Sequence, residues 1–179
     1  MSSSSRKPLL SQSEIEAALK EVASITHGVR VMLVGGVALH QYGSDRLTSD
    51  IDIVAEKAIP TLPAERTLTF GGYASHTPKG VPVDIILRDD DYAEVFAEAL
   101  LYARHDPAIP LPIVSLEYAI VMKMIAHRPK DIADLDTIFR LGVVDIPKAR
   151  KLVRRLLGAY SLHDFDAMVR EAAWRKEQE

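Results

Sequence analysis

The sequence contains no cysteine. That excludes disulfides, thiolate zinc ligands and a cysteine nucleophile, and it suits a reducing compartment. No apolar run approaches the roughly 18 residues that a membrane-spanning helix requires. The first residues, Met1 to Pro8, are polar and Ser-rich and lack the apolar stretch of a signal peptide. A soluble, cytoplasmic protein with no membrane partner is therefore expected. There is also no excess of positive charge: 22 Lys and Arg stand against 25 Asp and Glu, for a net charge of −3. Composition thus does not point to a protein that coats nucleic acid, although a local basic patch would suffice to bind one. The six histidines show no H-E-x-x-H or other paired ligand spacing, which argues against a zinc site.

What remains is a chain of 179 residues with an ordinary share of apolar and charged side chains. That is enough for one domain, or for a small α+β core with a helical extension. Ser11 and Glu14 have capping-box spacing, and Ile15, Ala18, Leu19 and Val22 then recur at helical period, so a helix is expected to about Ser24. Val29 to Val34 reads as a buried strand that Gly35-Gly36 breaks before a short helix. Strands are expected at 48–54, 68–75 and 81–87, the last two forming an antiparallel hairpin across Thr77-Pro78-Lys79-Gly80. Helices should cover 92–102, 115–126, Pro129 to about Gly142 and Asp145 to about Gly158, with a last one from about Asp164. Strands come early and the tail is all-helical, which predicts an α+β fold: a mixed sheet flanked by helices, with an all-helical C-terminal part. The expected division is a disordered tail over 1–10, a core over 11–105 and a helical part over 106–179 packed on it.

The residues with the clearest chemistry are acidic. In Ser49-Asp50-Ile51-Asp52-Ile53, strand alternation puts Asp50 and Asp52 on one face and the two isoleucines on the other. Two adjacent carboxylates repel each other, and a hard divalent cation such as Mg²⁺ reverses the sign of that interaction. A solvated strand face is the alternative reading of such a pair. Asp84 stands alone in the apolar run Val81 to Leu87, where a carboxylate costs several kcal/mol unless paired, hydrated or metal-bound. If these strands are neighbours, three carboxylates meet. The Gly35-Gly36 turn follows a buried strand and opens a helix, which lets backbone N–H groups approach a phosphate; a tight turn is the simpler alternative. Arg46, Thr48 and Ser49 precede the acid pair and have the chemistry to contact phosphate. Lys148, Arg150, Lys151, Arg154 and Arg155 form a basic stripe, to be read either as a solvated helix face or as an RNA-backbone contact. Trp174 is expected to anchor packing.

Taken together, Gly35-Gly36, thirteen intervening residues, Asp50-Ile51-Asp52 and a later Asp84 resemble the signature of the polymerase-β-like nucleotidyltransferase superfamily. The stretch LVGGVALHQYGSDRLTSDIDI is most similar to its small bacterial branch, which includes AbiEii-type toxins and minimal nucleotidyltransferases. The segment from Met122 to Leu135 resembles a downstream helical motif of that branch. The resemblance covers about residues 29 to 140. It implies an enzyme that moves an NMP from an NTP to an acceptor hydroxyl and releases pyrophosphate. Asp50 and Asp52 would hold two Mg²⁺ ions, and Asp84 would ligate one of them and take the acceptor's proton. Gly35, Gly36, Arg46, Thr48, Ser49 and Lys123 would face the nucleotide. ATP or another NTP would be the donor. The acceptor would be RNA such as tRNA, a protein, or a small molecule such as an antibiotic, and a toxin-like member would have a cognate antitoxin protein. A non-catalytic interaction module on the same fold, itself an antitoxin or scaffold, is the alternative. One departure bears on this: many members have Gly-Ser where this chain has Gly35-Gly36. Asp131 is expected to favour a helix N-terminus, and Asp134 to pair with Lys130 at i,i+4 spacing.

Overall fold

A computed structural model describes residues 8–179; the Ser-rich stretch before Pro8, and with it most of the expected tail, lies outside the described residues. Helix α1 (Gln12–Ile25) opens with the expected capping box. Ser11 Oγ accepts from the Glu14 backbone N–H at 3.3 Å, and Glu14 accepts from the Ser11 N–H at 2.7 Å. Its buried residues are Ile15, Ala18, Leu19 and Val22, the stripe read from the periodicity. Then come β1 (Val31–Val34), α2 (Gly35–His40), β2 (Ile51–Ala55), β3 (Arg66–Thr67), β4 (Tyr73–His76), β5 (Pro82–Ile86) and α3 (Ala93–Leu101). Three helical elements follow: α4 (Leu116–Ala126), α5 (Pro129–Leu141) and α6 (Ile146–Glu177).

The strands form one mixed sheet in the order β1-β2-β5-β4-β3. Among the described strands the central β2–β5 pair is parallel and the other three pairs are antiparallel. A parallel neighbour needs a long crossover, and residues 56–81 supply it, with β3 and β4 inside the connection. On the outer edge of β1, the Leu33 N–H donates to the Pro112 carbonyl at 2.7 Å and the Leu33 carbonyl accepts from the Val114 N–H at 3.0 Å. The segment leading to α4 therefore covers an edge that would otherwise be open. Ile51, Ile53, Val83 and Ile85 of the central pair are fully buried.

Several boundaries differ from the sequence reading. The strand expected from residue 68 starts at Tyr73, because Gly71 (φ 98°) and Gly72 (φ 92°) turn the chain sharply just before it. The two helices expected on either side of Gly158 run together as α6, with a kink where Gly158 adopts φ 83° and ψ −176°. The second stretch begins at the kink and not near Asp164. Trp174 is 61% exposed and so does not serve as the expected packing anchor. The C-terminal helices are instead held by Phe165, fully buried and edge-on to Phe139 with ring centroids 5.5 Å apart. Phe165→Ala is expected to cost about 3–5 kcal/mol, read as a lower urea midpoint at unchanged m-value.

Candidate active site

The register of the central strands decides where the acids lie. Val34 is the partner of Asp52 across β1–β2, Asp52 of Asp84 across β2–β5, and Asp84 of Ala74 across β5–β4. Partners across a ladder share a face. Asp52 and Asp84 are thus side by side, on strands about 4.8 Å apart, opposite the face that carries Ile51, Ile53, Val83 and Ile85. Asp50 sits just before β2. Thr48 Oγ1 donates to the Asp50 carbonyl at 3.1 Å and lies 3.4 Å from its Oδ1, while Ser49 Oγ lies 3.5 Å from its Oδ2. These two hydroxyls orient Asp50.

The glycine turn closes on the same place. Gly35 adopts φ 68°, and a Cβ built there would overlap the Asp52 carboxylate. Glycine is required at 35 both for its backbone angle and for this close approach. At Gly36 a Cβ would lie 2.9 Å from Arg46 Nη2 and 3.4 Å from Thr48. The two motifs separated by thirteen residues in the sequence are therefore in contact.

Asp52 bears the electrostatic strain of this arrangement. Its pKa is pushed up to about 7, chiefly by burial and then by the Asp50 and Asp84 carboxylates, against the opposing pull of Lys130 and Lys123. Asp52, Gly35 and Lys130 line one end of a cleft of about 80 Å³. Toward its other end lie Phe70, Ile86, Phe96, Met122 and Ile125, with the Arg88 and Arg128 guanidinium groups against the Phe96 and Phe70 rings. Of the three expected catalytic acids, Asp52 alone lines the cleft; Asp84 lies beside it in the sheet and Asp50 at the mouth of the strand.

Lys123 and Arg46 also line the cleft, and both are held by acids of α5. The buried Lys123 ammonium donates to Asp134 at 2.5 Å and to Asp131 at 3.4 Å. Arg46 Nε lies 2.9 Å from the other oxygen of Asp134. Asp134 therefore pairs with these two cations and not, as its spacing implied, with Lys130. Asp131 accepts from the Arg128 backbone N–H at 3.2 Å and from Arg128 Nε at 2.6 Å. The sequence reading gave Asp131 and Asp134 only local roles in their helix; the clue available was the apolar surroundings of Lys123, a lone cation in LEYAIVMKMIA. The basic stripe of α6 is largely neutralised: Lys148 pairs with Glu117 (2.9 Å), Arg150 with Asp166 (2.9 Å) and Arg155 with Glu98.

The donors Asp50, Asp52 and Asp84 are hard oxygens, and the raised pKa of Asp52 marks a site short of positive charge. Both features fit a divalent cation such as Mg²⁺. Among the described residues, however, no group of three acidic or histidine side chains is gathered into a metal-holding set, so a bound ion would have to draw these carboxylates together.

No protein-family model matches the chain, and no curated protein matches it. Solved structures do. One is JHP933 from Helicobacter pylori, with 15% identity, coverage of 96% of each chain and a TM-score of 0.47. Another is an antigenic nucleotidyltransferase-like protein from Paracoccidioides brasiliensis, with 17% identity, coverage of 91% of this chain and 95% of that one, and a TM-score of 0.48. At these values neither likeness carries a function over to this chain. Among the described residues no helix is long and apolar enough to cross a membrane.

Two predictions follow from the charges. In the unfolded chain Asp52 releases its proton near the ordinary 3.8, whereas the folded chain holds it to about 7. Stability therefore falls as pH rises through that window, and the cost is complete above it. Asp52→Asn is expected to raise Tm at about pH 8 by the equivalent of 2–4 kcal/mol at most and to give no gain at about pH 4. Equal gains at both pH values would sink the assignment. Asp134→Ala leaves buried Lys123 with only its longer contact to Asp131 and Arg46 without its Asp134 pair, and is expected to cost about 1–3 kcal/mol in denaturant unfolding.

Proposed function

We propose that the chain is a Mg²⁺-dependent nucleotidyltransferase of the polymerase-β-like kind, in the small bacterial branch with the AbiEii-type toxins. The observation that carries this is the juxtaposition of Asp52 and Asp84 on neighbouring parallel strands, under a glycine turn that lets backbone approach the carboxylate. An arrangement that concentrates acid at the mouth of a cleft has a use in phosphoryl chemistry, where charge neutralisation and positioning supply most of the catalysis.

In this reading Asp50 and Asp52 would hold two Mg²⁺ ions and Asp84 would be a ligand to one; when bound, the ions would supply charge neutralisation for the attacking and leaving oxygens. The acceptor hydroxyl oxygen forms a bond to the α-phosphorus of the NTP as the bond from that phosphorus to the β-phosphate bridging oxygen breaks. Pyrophosphate leaves, and the hydroxyl proton passes to a carboxylate oxygen of Asp84. Gly35, with no side chain, lets the Asp52 carboxylate lie directly against the turn. Lys130 faces Asp52 from the start of α5 and carries compensating charge. Arg46 and Lys123 shape the cleft wall through Asp134. Thr48 and Ser49 hold Asp50. The acceptor we favour is RNA or protein, with a small-molecule acceptor as the other enzymatic option and a cognate antitoxin as partner.

A second reading, a non-catalytic interaction module, draws on a specific observation: Lys123 and Arg46 are tied to Asp134, and no three acids are assembled as a metal set among the described residues. One assay separates the two. Each α-³²P-labelled NTP is incubated with Mg²⁺, the protein, and total bacterial RNA or protein extract, and label on macromolecule is counted. The enzyme reading expects transfer from at least one NTP, reduced by about 10³-fold or more in Asp52→Asn. Absence of transfer and of pyrophosphate release with all four NTPs, in a protein that nonetheless folds, would favour the module.

A further inference from the structure

The cleft has two chemically different ends, and the nucleotidyltransferase reading, on which this inference rests, uses only one of them. The end away from Asp52 presents the half-buried ring of Phe70, on the loop between β3 and β4. That loop is not free to drift. Arg88 Nη1 donates to the Phe70 carbonyl at 2.7 Å. Leu68 and Gly72 close the turn with an N–H to carbonyl bond of 3.0 Å. Gly71 and Gly72 press so closely on β5 that a Cβ at either would collide with the carbonyl of Leu87 or Ile85. Arg88 is itself fixed, its guanidinium 5.1 Å from the centre of the Phe96 ring and bonded to Asp90. The backbone that carries Phe70 is thus tightly held, and its ring stands in a cleft whose other end is built of acid, glycine and lysine.

One face of that ring is taken by a cation. The Arg128 guanidinium lies 5.0 Å from the Phe70 ring centre, and Arg128 is tethered by Asp131. A guanidinium plane and a nucleobase are interchangeable partners for an aromatic face: both are flat and both stack. A ligand with a flat aromatic group at one end and phosphates at the other matches the order of groups along the cleft, from Phe70 to Lys130 and Asp52.

We infer that Phe70 is the stacking platform for the base of the bound nucleoside triphosphate, in the place that Arg128 covers in the free protein. The base lies against Phe70, walled by Ile86, Phe96 and Met122, with the phosphates toward Gly35 and Asp52. Stacking is indifferent to which base is present, since every base has a π-face, so Phe70 sets affinity for a nucleotide over bare polyphosphate and not a choice among the four.

The test compares ATP, GTP, CTP and UTP with inorganic tripolyphosphate, which has the phosphates and no base. Binding to the full chain in Mg²⁺ is measured by calorimetry for wild type, Phe70→Ala and Phe70→Trp, each first checked for an unchanged unfolding transition. The expected result is a loss of about tenfold or more in NTP affinity for Phe70→Ala, no change in tripolyphosphate affinity, and retention of NTP affinity in Phe70→Trp. Equal weakening of NTP and tripolyphosphate would assign Phe70 a structural part only, and unchanged NTP binding in Phe70→Ala would remove the platform; either outcome overturns the inference while leaving the nucleotidyltransferase reading in place. Should Phe70→Ala fail to fold, an NTP affinity in Phe70→Trp reduced to the tripolyphosphate level would overturn it. A wild-type protein that binds neither ligand would overturn both.

Discussion

The parallel pairing of β2 with β5 is the contact on which the molecule turns. It buries Ile51, Ile53, Val83 and Ile85 on one face, and at about 25 cal/mol per Å² of apolar surface that burial gives the pair its hold on the core. Register follows from this, because a slip of one residue would drive the isoleucines outward and the aspartates inward. The same register that satisfies the core sets Asp52 beside Asp84. Hydrophobic burial on one side of the sheet thus enforces electrostatic repulsion on the other, and the raised pKa of Asp52 is its signature. Folding alone gains nothing from that arrangement; under the proposed function a cationic ligand at this face would offset the repulsion.

What the sequence could reveal divides along the range of the interactions. The helices with caps, α1 at Ser11 and α6 at Asp145, were readable because a cap and a periodic stripe are local. The central strands were readable because their apolar residues are buried on the face that the alternation points to. The acid pair and Gly35-Gly36 were readable as motifs, and their meeting could be anticipated only through a resemblance. Strand β4 was misjudged at its start because Leu68 is buried and Phe70 half-buried from within a loop, where apolar content imitates a strand. Asp134 was misjudged because i,i+4 spacing favours Lys130, while the partners it takes, Lys123 and Arg46, come from a neighbouring helix and from a loop 88 residues earlier. Trp174 was misjudged because size alone does not bury a side chain when its helix presents that face to water. Long-range pairings leave no periodic trace.

The ion cluster around Asp134 joins the helical C-terminal part to the approach to β2. Isolated buried ion pairs stabilise little relative to well-packed apolar groups, because desolvation offsets the attraction. Here a single carboxylate satisfies two cations from two different elements, one on α4 and one on the loop before Asp50, and His40 Nε2 donates to the Arg46 carbonyl at 2.6 Å. Removing α5 from this arrangement would free the segment that carries Thr48 and Ser49, the residues that orient Asp50. The cluster therefore contributes position more than stability: it ties the acidic end of the cleft to the helices that form its opposite wall.

That connection also accounts for the departure at residue 36. Where related signatures place serine after the first glycine, this chain has Gly36, and the space a side chain would need is filled: its Cβ would stand 2.9 Å from Arg46 Nη2 and 3.4 Å from Thr48. Gly36 and Arg46 thus share one space: a side chain at 36 would require the guanidinium end to shift. Under the proposed function the exchange has a chemical logic as well. A serine hydroxyl offers one neutral hydrogen bond to a phosphate, whereas a guanidinium against the glycine turn offers charge and a fork of donors. The pairing also sets Arg46 against the opposite wall: its Nε lies 2.9 Å from the buried Asp134 carboxylate, and that contact restricts the side-chain freedom to be lost when a phosphate arrives.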